Sequence, residues 1–197
     1  MVALQVKIDF ADILQALTTI DLPYGRGNIL RGINDSYIID GTYNGGFEPI
    51  LSGVRLADRL AQSEGKGLIA ILGDMRELGA EETARHQELW GELQKLNSVQ
   101  YIFVGKVCET IILPMLSSED IKRVSFYRDA RKAGEYTRDC ILKSDKKILV
   151  FAKGSQNTIY LEEALKAIIL PEETMKIVRQ DALYMEKKQA FWKTLAQ

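Results

Sequence analysis

The chain has 197 residues, of which 46% are hydrophobic and 27% are charged, and its formal net charge is −1. These values are typical of a globular domain that buries roughly 70% of its unfolded surface without disulfides or metals. Acidic and basic residues are interspersed and no apolar run approaches the ~20 residues of a membrane span, so neither a nucleic-acid partner nor a membrane partner is expected.

The first part of the chain predicts a helix, a hairpin and a second helix. Apolar residues repeat at helical spacing over residues 9–20, where Asp9 is a suitable N-cap. Two short apolar runs at 29–33 and 37–40 enclose a polar turn, which predicts a hairpin. From 49 to 62 the pattern is helical again.

From residue 68 onward, strand-like and helix-like segments alternate. The predicted strands are at 68–72, 101–105, 124–127 and 148–152, and the first of them is a continuous apolar run, typical of a strand buried on both faces. The predicted helices cover 81–96, 107–116, 129–143, 158–169 and, in the tail, 181–195. This order predicts an α/β fold: a Rossmann-like, mostly parallel six-stranded sheet with an antiparallel hairpin at one edge and helices on both faces.

Glycines and polar side chains follow four of the predicted strands. These stretches are Asp40-Gly41-Thr42-Tyr43-Asn44, Gly73-Asp74-Met75-Arg76, Gly105-Lys106 and Lys153-Gly154-Ser155. Ligands of parallel sheets bind beyond the carboxyl ends of the strands, so the clustering predicts one shared site at one edge of the sheet. Taken singly, each stretch could be no more than a turn or a strand-to-helix loop.

Motifs that carry chemistry on their own are missing from the sequence. It contains no G-x-x-x-x-G-K-[ST] phosphate loop, no G-x-G-x-x-G after a strand, no G-x-S-x-G and no metal-ligand spacing. Cys108 and Cys140 are interpreted as reduced thiols, and His86 as a surface residue. Early charges in the N-terminal stretch argue against a signal peptide, which favours a cytoplasmic location. We therefore expect no catalytic residue and no metal site in this chain.

Four motifs, in this order, resemble the C-terminal third of Mur ligases of the MurF type. They are Pro23-Tyr24-Gly25-Arg26, Ile38-Ile39-Asp40-Gly41-Thr42-Tyr43-Asn44, Ile71-Leu72-Gly73-Asp74-Met75-Arg76-Glu77-Leu78-Gly79 and Lys153-Gly154-Ser155. The third is long and specific, and the resemblance covers about residues 9–170. The chain departs from the family at Gly41, where a second aspartate is usual, at Gly45-Gly46, which stand in place of A-N-P, and at Gln156, where arginine is common.

The resemblance implies one part of an ATP-dependent ligase with three domains. In this family the first domain holds the UDP-sugar, and the central domain carries the phosphate loop, the magnesium ligands and a modified lysine. The last domain presents the incoming amino acid or dipeptide and closes over ATP. Residues 1–22 would be a remnant helix of the central ATPase domain, 23–170 the C-terminal domain, and 171–197 a helical tail that does not match the family.

The implied reaction belongs to peptidoglycan biosynthesis. It joins D-Ala-D-Ala to a UDP-N-acetylmuramoyl peptide through an acyl phosphate that ATP supplies. The N-terminal and central Mur domains are the implied protein partners, and Mg²⁺ is expected to be held by the missing central domain. Without the phosphate loop, this chain alone is expected to be inactive.

Eight residues receive roles from the resemblance. The implied nucleotide-binding residues are Arg26, Asp40, Tyr43 and Asn44, and the implied D-Ala-D-Ala residues are Asp74, Met75, Lys153 and Ser155. A guanidinium suits phosphate oxygens, and a carboxylate that faces solvent, as expected of Asp40, suits the two ribose hydroxyls. Asp74 would hold the dipeptide amine, and Lys153 with Ser155 its carboxylate.

Two alternative functions remain open at this point. The first is a non-catalytic nucleotide- or D-amino-acid-binding Rossmann-like module, which the glycines near Asn44 favour slightly. The second is a Mur ligase with a different amino-acid acceptor, and the pocket around Asp74 and Lys153 would distinguish it.

Overall fold

The computed structural model describes residues 8–96, 98–155 and 159–195. The strands in these ranges are β1 (Asn28–Arg31), β2 (Tyr37–Gly41), β3 (Gly67–Gly73), β4 (Val99–Val104), β5 (Val124–Tyr127) and β6 (Ile148–Lys153). The α-helices are α1 (Phe10–Thr18), α2 (Phe47–Ser63), α3 (Glu82–Leu93), α4 (Lys106–Ile112), α5 (Ala130–Lys143), α6 (Glu162–Leu165) and α7 (Ala182–Leu195). Gln156, the predicted helix start at Thr158, and both extremes of the chain lie outside the described residues.

The strands form one sheet in the order β1-β2-β6-β3-β4-β5. β1 pairs with β2 antiparallel, and every other neighbouring pair is parallel. The predicted fold class is therefore confirmed, including the antiparallel edge. Because five strands run the same way, their carboxyl ends meet at one edge of the sheet.

Apolar side chains cover both faces of the sheet. One core contains Val54 of α2, Trp90 of α3 and Phe103 of β4, and the other contains Ile71 of β3 and Leu165 of α6. The continuous apolar runs of β3, β4 and β6 match this arrangement, because a parallel strand between two helical layers is buried on both sides. After β6 the chain crosses to the face opposite the one that follows β2 and β3, so a crevice opens beside β6.

The helix predicted over 158–169 is wrong in extent, because only Glu162–Leu165 is α-helical. Tyr160 has a φ of +48°, in the left-handed region, and this prevents the helix from extending towards the N-terminus. At the other end, Ile169 bridges to Gly32 and the N–H of Leu170 donates to the carbonyl of Arg31. The chain leaves the helix in order to pair beside β1.

The first and last helices differ in their contacts. Asp9 caps α1, accepting from the N–H of Ala11 at 2.7 Å, but α1 has no buried residue. The segment after residue 170 makes a 3₁₀ turn, Pro171–Lys176, places Ile177 in the core and ends in α7, where Lys188 is fully buried. None of the helices in the described ranges is long and apolar enough to cross a membrane.

Candidate functional site

Three glycines bring the loops after β2, β6 and β3 into contact, and we call them the glycine ridge (Gly45, Gly154, Gly73). A Cβ on Gly45 would lie 2.8 Å from the carbonyl carbon of Gly154, and a Cβ on Gly154 would lie 2.9 Å from the Cα of Gly73. Backbones approach this closely only where the side chain is a hydrogen atom. The ridge separates two cavities at the carboxyl edge of the sheet.

The first cavity, of about 330 Å³, opens beside β2 and β6. Its lining includes Arg26, Tyr43, Asn44 and Lys153, so three of the four predicted nucleotide residues lie together. The guanidinium carbon of Arg26 is 4.1 Å from the centre of the Tyr43 ring, within cation–π range. Lys153 Nζ donates to the carbonyl of Asn44 at 3.0 Å.

The electrostatics of the first cavity favour an anion. Burial lowers the pKa of Lys153, and the neighbouring Arg26 lowers it further, against the raising effect of Asp40. Two cations therefore lie close enough to disfavour each other's charge, which an anionic ligand would relieve. Among the described residues that line this cavity, none carries a carboxylate.

Asp40, the fourth predicted nucleotide residue, is buried and does not line the first cavity. Its Oδ1 accepts from the N–H and the hydroxyl of Thr42 at 2.9 and 2.7 Å. Its Oδ2 is buried without a hydrogen-bond partner among the residues that the structure describes. Burial is the largest cause that raises the pKa of Asp40 above its ordinary value of 3.8.

The expectation that Asp40 faces solvent is wrong, since the residue has 0% exposure. Strand β2 is flanked by β1 and β6, so its end is an interior position of the sheet. Arg179 of the C-terminal segment also closes over the next residues, donating to the carbonyls of Thr42 and Tyr43. In this structure Asp40 supports the loop rather than lining the cavity.

Asp74 follows β3 and is bonded to the start of α4. Its two carboxylate oxygens accept the N–H groups of Val107 and Cys108 at 3.1 and 2.7 Å. A Cβ on Gly105 would lie 2.2 Å from the Asp74 carboxyl carbon, and Gly105 has a φ of +128°, so this position suits glycine alone. Asp74 also lines a second cavity, of about 410 Å³, together with Arg76, Lys106 and Arg128.

The interpretation of His86 as a surface residue is wrong, because its exposure is 0%. Nε2 of His86 accepts the N–H of Met75 at 3.1 Å, and Nδ1 lies 2.7 Å from the carbonyl of Glu82. A ring nitrogen that accepts carries no proton, so the proton is on Nδ1, which donates to Glu82. The helical position of His86 turns inward and holds the loop after β3.

Met75 and Ser155, both predicted to contact the dipeptide, are buried. Met75 packs in the hydrophobic core, and Ser155 bonds neighbouring loops. The side chain of Met75 lies in the core with Trp90 and Phe103. The hydroxyl of Ser155 accepts the N–H of Arg76 at 2.9 Å and donates to the carbonyl of Gly45 at 2.8 Å. Ser155 thus ties the loops after β6, β3 and β2 together, beside the glycine ridge.

Asp74, His86 and Cys108 form a cluster whose polar atoms lie within 4.8 Å of one another. Both nitrogens of His86 and both oxygens of Asp74 already have hydrogen-bond partners. Burial, together with the Asp74 charge, raises the pKa of the Cys108 thiol, which keeps it protonated. These contacts explain the cluster as a loop anchor, because a metal would need to displace several of them.

Comparison with known proteins brings the fold and these motifs together. A curated UDP-N-acetylmuramoyl-tripeptide–D-alanyl-D-alanine ligase from Synechocystis is 36% identical over 83 residues, which is 42% of this chain. A crystal structure of MurF from Acinetobacter baumannii matches 83% of the chain with a TM-score of 0.64 and 20% identity. The fold is that of the C-terminal domain of MurF-type Mur ligases. The family resemblance inferred from the motifs is therefore confirmed.

MurF relatives are much longer than this chain. The chain spans 18% of the Synechocystis ligase and 34% of the A. baumannii MurF. MurF from Thermotoga maritima in complex with ADP matches 84% of the chain and 35% of its own length, with a TM-score of 0.56 and 21% identity. No family model matches the chain.

The MurF-like motifs are brought together in two groups rather than one. Arg26, Tyr43, Asn44 and Lys153 share the first cavity, whereas Asp74 lines the second. Sequence reasoning missed Arg179, Glu162 and Lys188, which form a buried ion cluster behind the first cavity. Glu162 and Lys188 stand in short charged runs of predicted helices, and such runs are usually solvated, whereas Arg179 is a single charged residue outside the predicted helices.

Proposed function

We propose that this chain is the nucleotide- and dipeptide-handling domain of a MurF-like ligase, which joins D-Ala-D-Ala to a UDP-N-acetylmuramoyl peptide. The observation that carries the proposal is the meeting of four MurF-like motifs at one edge of the sheet, three of them around a cavity with two cations and an aromatic ring. The Synechocystis relative is named as such a ligase, and the T. maritima MurF as a complex with ADP.

The first cavity fits the phosphates and ribose of ATP, whose transferred phosphoryl group would activate the carboxyl of the UDP-linked peptide. Arg26 and Lys153 would bind phosphate oxygens from two sides, and the exposed Tyr43 and Asn44 would border the nucleoside. A guanidinium and an ammonium in one cleft stabilise charge on a phosphate more strongly than either would alone. Asp40 would act through Thr42, whose N–H and hydroxyl it fixes.

The second cavity fits a small zwitterionic peptide. Asp74 can accept a further hydrogen bond from an amine, because each carboxylate oxygen has two lone pairs and uses one for the backbone. The basic side chains of Lys106 and Arg128 lie in the same lining and suit a carboxylate. Lys153 faces the first cavity, so we now assign it to phosphate, with Ser155 and Met75 as supports of the loops.

The N-terminal helix is proposed to dock on the central ATPase domain. Phe10, Leu14 and Leu17 are 61, 48 and 58% exposed on α1, and the neighbouring Ile20 and Leu22 are also at least half exposed. Large apolar side chains in such a contiguous patch mark an interaction surface. In the family, the phosphate loop and the Mg²⁺ ligands belong to that central domain.

A chimeric enzyme tests the proposal. Residues 23–197 would replace the matching C-terminal domain of A. baumannii MurF, and formation of the UDP-linked pentapeptide from ATP and D-Ala-D-Ala would be measured. We expect product from this chimera and at least about tenfold less from its Arg26→Ala variant, since 1.4 kcal/mol of lost phosphate binding is a factor of ten.

The alternatives predict different outcomes in the same assay. A folded chimera that binds ADP without forming product would favour a non-catalytic binding module. Product with a single amino acid but none with D-Ala-D-Ala would favour a Mur ligase with another acceptor. A melting curve for each chimera separates both outcomes from failure to fold.

A further inference from the structure

We propose that the C-terminal segment over residues 177–188 is a working part of the first cavity, with Arg179 as the positioning residue. The inference rests on the proposed nucleotide role of that cavity. It concerns a segment that lies beyond the MurF-like motifs, and it assigns this segment the task of holding the loop that carries Tyr43.

Arg179 reaches from the C-terminal segment to the loop after β2. Its Nη2 donates to the carbonyl of Thr42 at 2.7 Å, and its Nη1 donates to the carbonyl of Tyr43 at 3.0 Å. Its guanidinium carbon lies 5.9 Å from the centre of the Tyr43 ring, while Arg26 lies 4.1 Å from the same centre. Tyr43 is therefore within cation–π range of both a cation of the cavity and a cation of the C-terminal segment.

A buried ion cluster fixes the guanidinium itself. Glu162 accepts from Nε and Nη2 of Arg179 at 3.0 and 2.7 Å, a bidentate geometry that sets the plane of the fork. Lys188, with 0% exposure, bonds Glu162 at 2.9 Å, Glu163 at 2.6 Å and the carbonyl of Arg179 at 2.7 Å. Two cations of the segment thus face two carboxylates, and Lys166 also pairs with Glu163 at 2.9 Å. Turning either Arg179 or Lys188 away would break buried charge-assisted bonds, which holds both side chains in place.

A second contact of the segment meets the loop that carries Arg26. A Cβ on Gly25 would lie 2.9 Å from Val178 Cγ1 and 3.0 Å from the backbone nitrogen of Tyr43. The N–H of Tyr43 donates to the carbonyl of Gly25 at 3.0 Å. Val178 therefore lies against the loop that carries Arg26, and Arg179 bonds the loop that carries Tyr43. These two loops border the cavity.

Attachment of the tail alone does not account for these contacts. Arg31 pairs with Glu172 and Glu173, Arg131 stacks on Trp192, and Tyr160 packs against Phe191, so the tail after residue 170 has other anchors on both sides of the segment. Arg179 also adopts a φ of +56°, an uncommon conformation for a residue with a side chain. The uncommon backbone conformation directs the guanidinium to two carbonyls of the loop after β2. We infer that Arg179 positions this loop.

The test uses the complete chain and the variant Arg179→Lys. Lysine keeps the charge beside Glu162, but one ammonium cannot span the carboxylate and both carbonyls as the fork does. Two measurements are made: hydrogen exchange of the Tyr43 amide relative to Ile71 in β3, and an NMR titration with ADP. Arg31→Gln is the matched control, because it breaks ion pairs that hold the same tail just before the segment, away from the cavity.

We expect the Tyr43 amide to exchange at least about tenfold faster in Arg179→Lys, with Ile71 unchanged, and the ADP dissociation constant to rise about fivefold. Arg31→Gln should leave both at parent values. Parent-like exchange and parent-like ADP affinity in a folded Arg179→Lys would overturn the inference, whatever happens to its melting temperature. If that variant does not fold, Val178→Ala, which removes the methyl groups that face Gly25, decides the matter by the same two measurements.

Failure of the proposed function gives a different result. If ADP shifts no signal of the parent chain up to about 10 mM, the nucleotide assignment fails, because such binding would be weaker than roughly −3 kcal/mol. Faster Tyr43 exchange in Arg179→Lys would then still support the positioning role for that loop, and unchanged exchange would overturn it.

Discussion

Asp40 and Asp74 are both strand-end aspartates next to a glycine, but the structure gives them opposite surroundings. Asp74 has a backbone N–H on each oxygen, at the start of α4. Asp40 bonds Thr42 through Oδ1 alone, and burial raises its pKa. The difference shows that two similar strand-end motifs can give one carboxylate a backbone donor on each oxygen and leave the other buried with one oxygen unpaired among the described residues.

The largest expected effect is on the Asp74 side. Asp74→Ala leaves the buried N–H groups of Val107 and Cys108 without acceptors, and each charge-assisted bond contributes on the order of 1.5–3 kcal/mol. We expect the free energy of unfolding in urea to fall by about 3 kcal/mol or more. Asp129→Ala is the matched control, since Asp129 caps α5 at a partly exposed position and should cost only about 1 kcal/mol. Equal losses for the two variants would show that the two bonds of Asp74 stabilise the fold no more than an ordinary helix cap.

A smaller effect of opposite sign is expected on the Asp40 side. The raised pKa means that the folded protein binds the proton more tightly than the unfolded chain. The stabilisation is therefore present below the ordinary value of 3.8 and is lost as pH rises through the folded-state pKa. Asp40→Asn should be neutral or stabilising by up to about 1 kcal/mol at pH 7.

Urea titrations of Asp40→Asn and the parent across this pH range check the sign. The advantage of the variant should grow as pH rises from about 4 towards neutrality, because only the parent must ionise a buried carboxyl. An advantage that shrinks with rising pH, or a loss of several kcal/mol at pH 7, would contradict the conclusion that burial disfavours the ionised form of Asp40.

Arg26→Ala should change stability least, within about 1 kcal/mol, because Arg26 is exposed and an exposed cation–π contact contributes about 0.5–1 kcal/mol. Its effect should be on ligand binding in the first cavity. Lys132→Ala, an exposed ion-pair partner on α5, serves as a control of similar exposure. A melt that shows a large loss for Arg26→Ala alone would assign Arg26 to the fold rather than to the cavity.

The weakest signal expected is nucleotide binding by the chain itself. A shared site supplies only part of the contacts, so ADP affinity should be about 1 mM or weaker, and no phosphate should be released from ATP. In an NMR titration, shifts should concentrate at Tyr43 and Asn44 and leave Val107 and Cys108 unmoved. Shifts centred on the Asp74 side would reverse the comparison, and low-micromolar binding would favour the stand-alone binding module.

The sheet was predictable because the apolar composition of its central strands indicates that they are buried. The run at 68–72 is apolar at every position, and the turn residues around it confine it to strand length. The end of the helix at Leu165 was not predictable, because it depends on Ile169 and Leu170 pairing beside β1. Such a contact is far away in sequence and leaves no local pattern.

The candidate site was predictable as a set of loops but not as a set of roles. Strand-end position brings Tyr43, Asn44 and Lys153 together, and Arg26 joins them because it precedes β1, which runs antiparallel to β2. The burial of a polar residue has no local sequence pattern, so the sequence alone predicts both Asp40 and His86 at the surface. Arg179 left no signal at all, since its partners Glu162 and Thr42 are distant along the chain and only the fold brings them near.

The glycine ridge has a consequence for thermodynamic linkage between the two cavities. Gly154 touches Gly45 on the side of the first cavity and Gly73 on the side of the second, at distances that leave no slack. A shift of either outer loop therefore has to displace the shared middle backbone. Free energy that a ligand spends on moving one loop is felt by the other, and the coupling must be equal in both directions. A methyl group at Gly154 would act on both affinities at once, without touching either ligand.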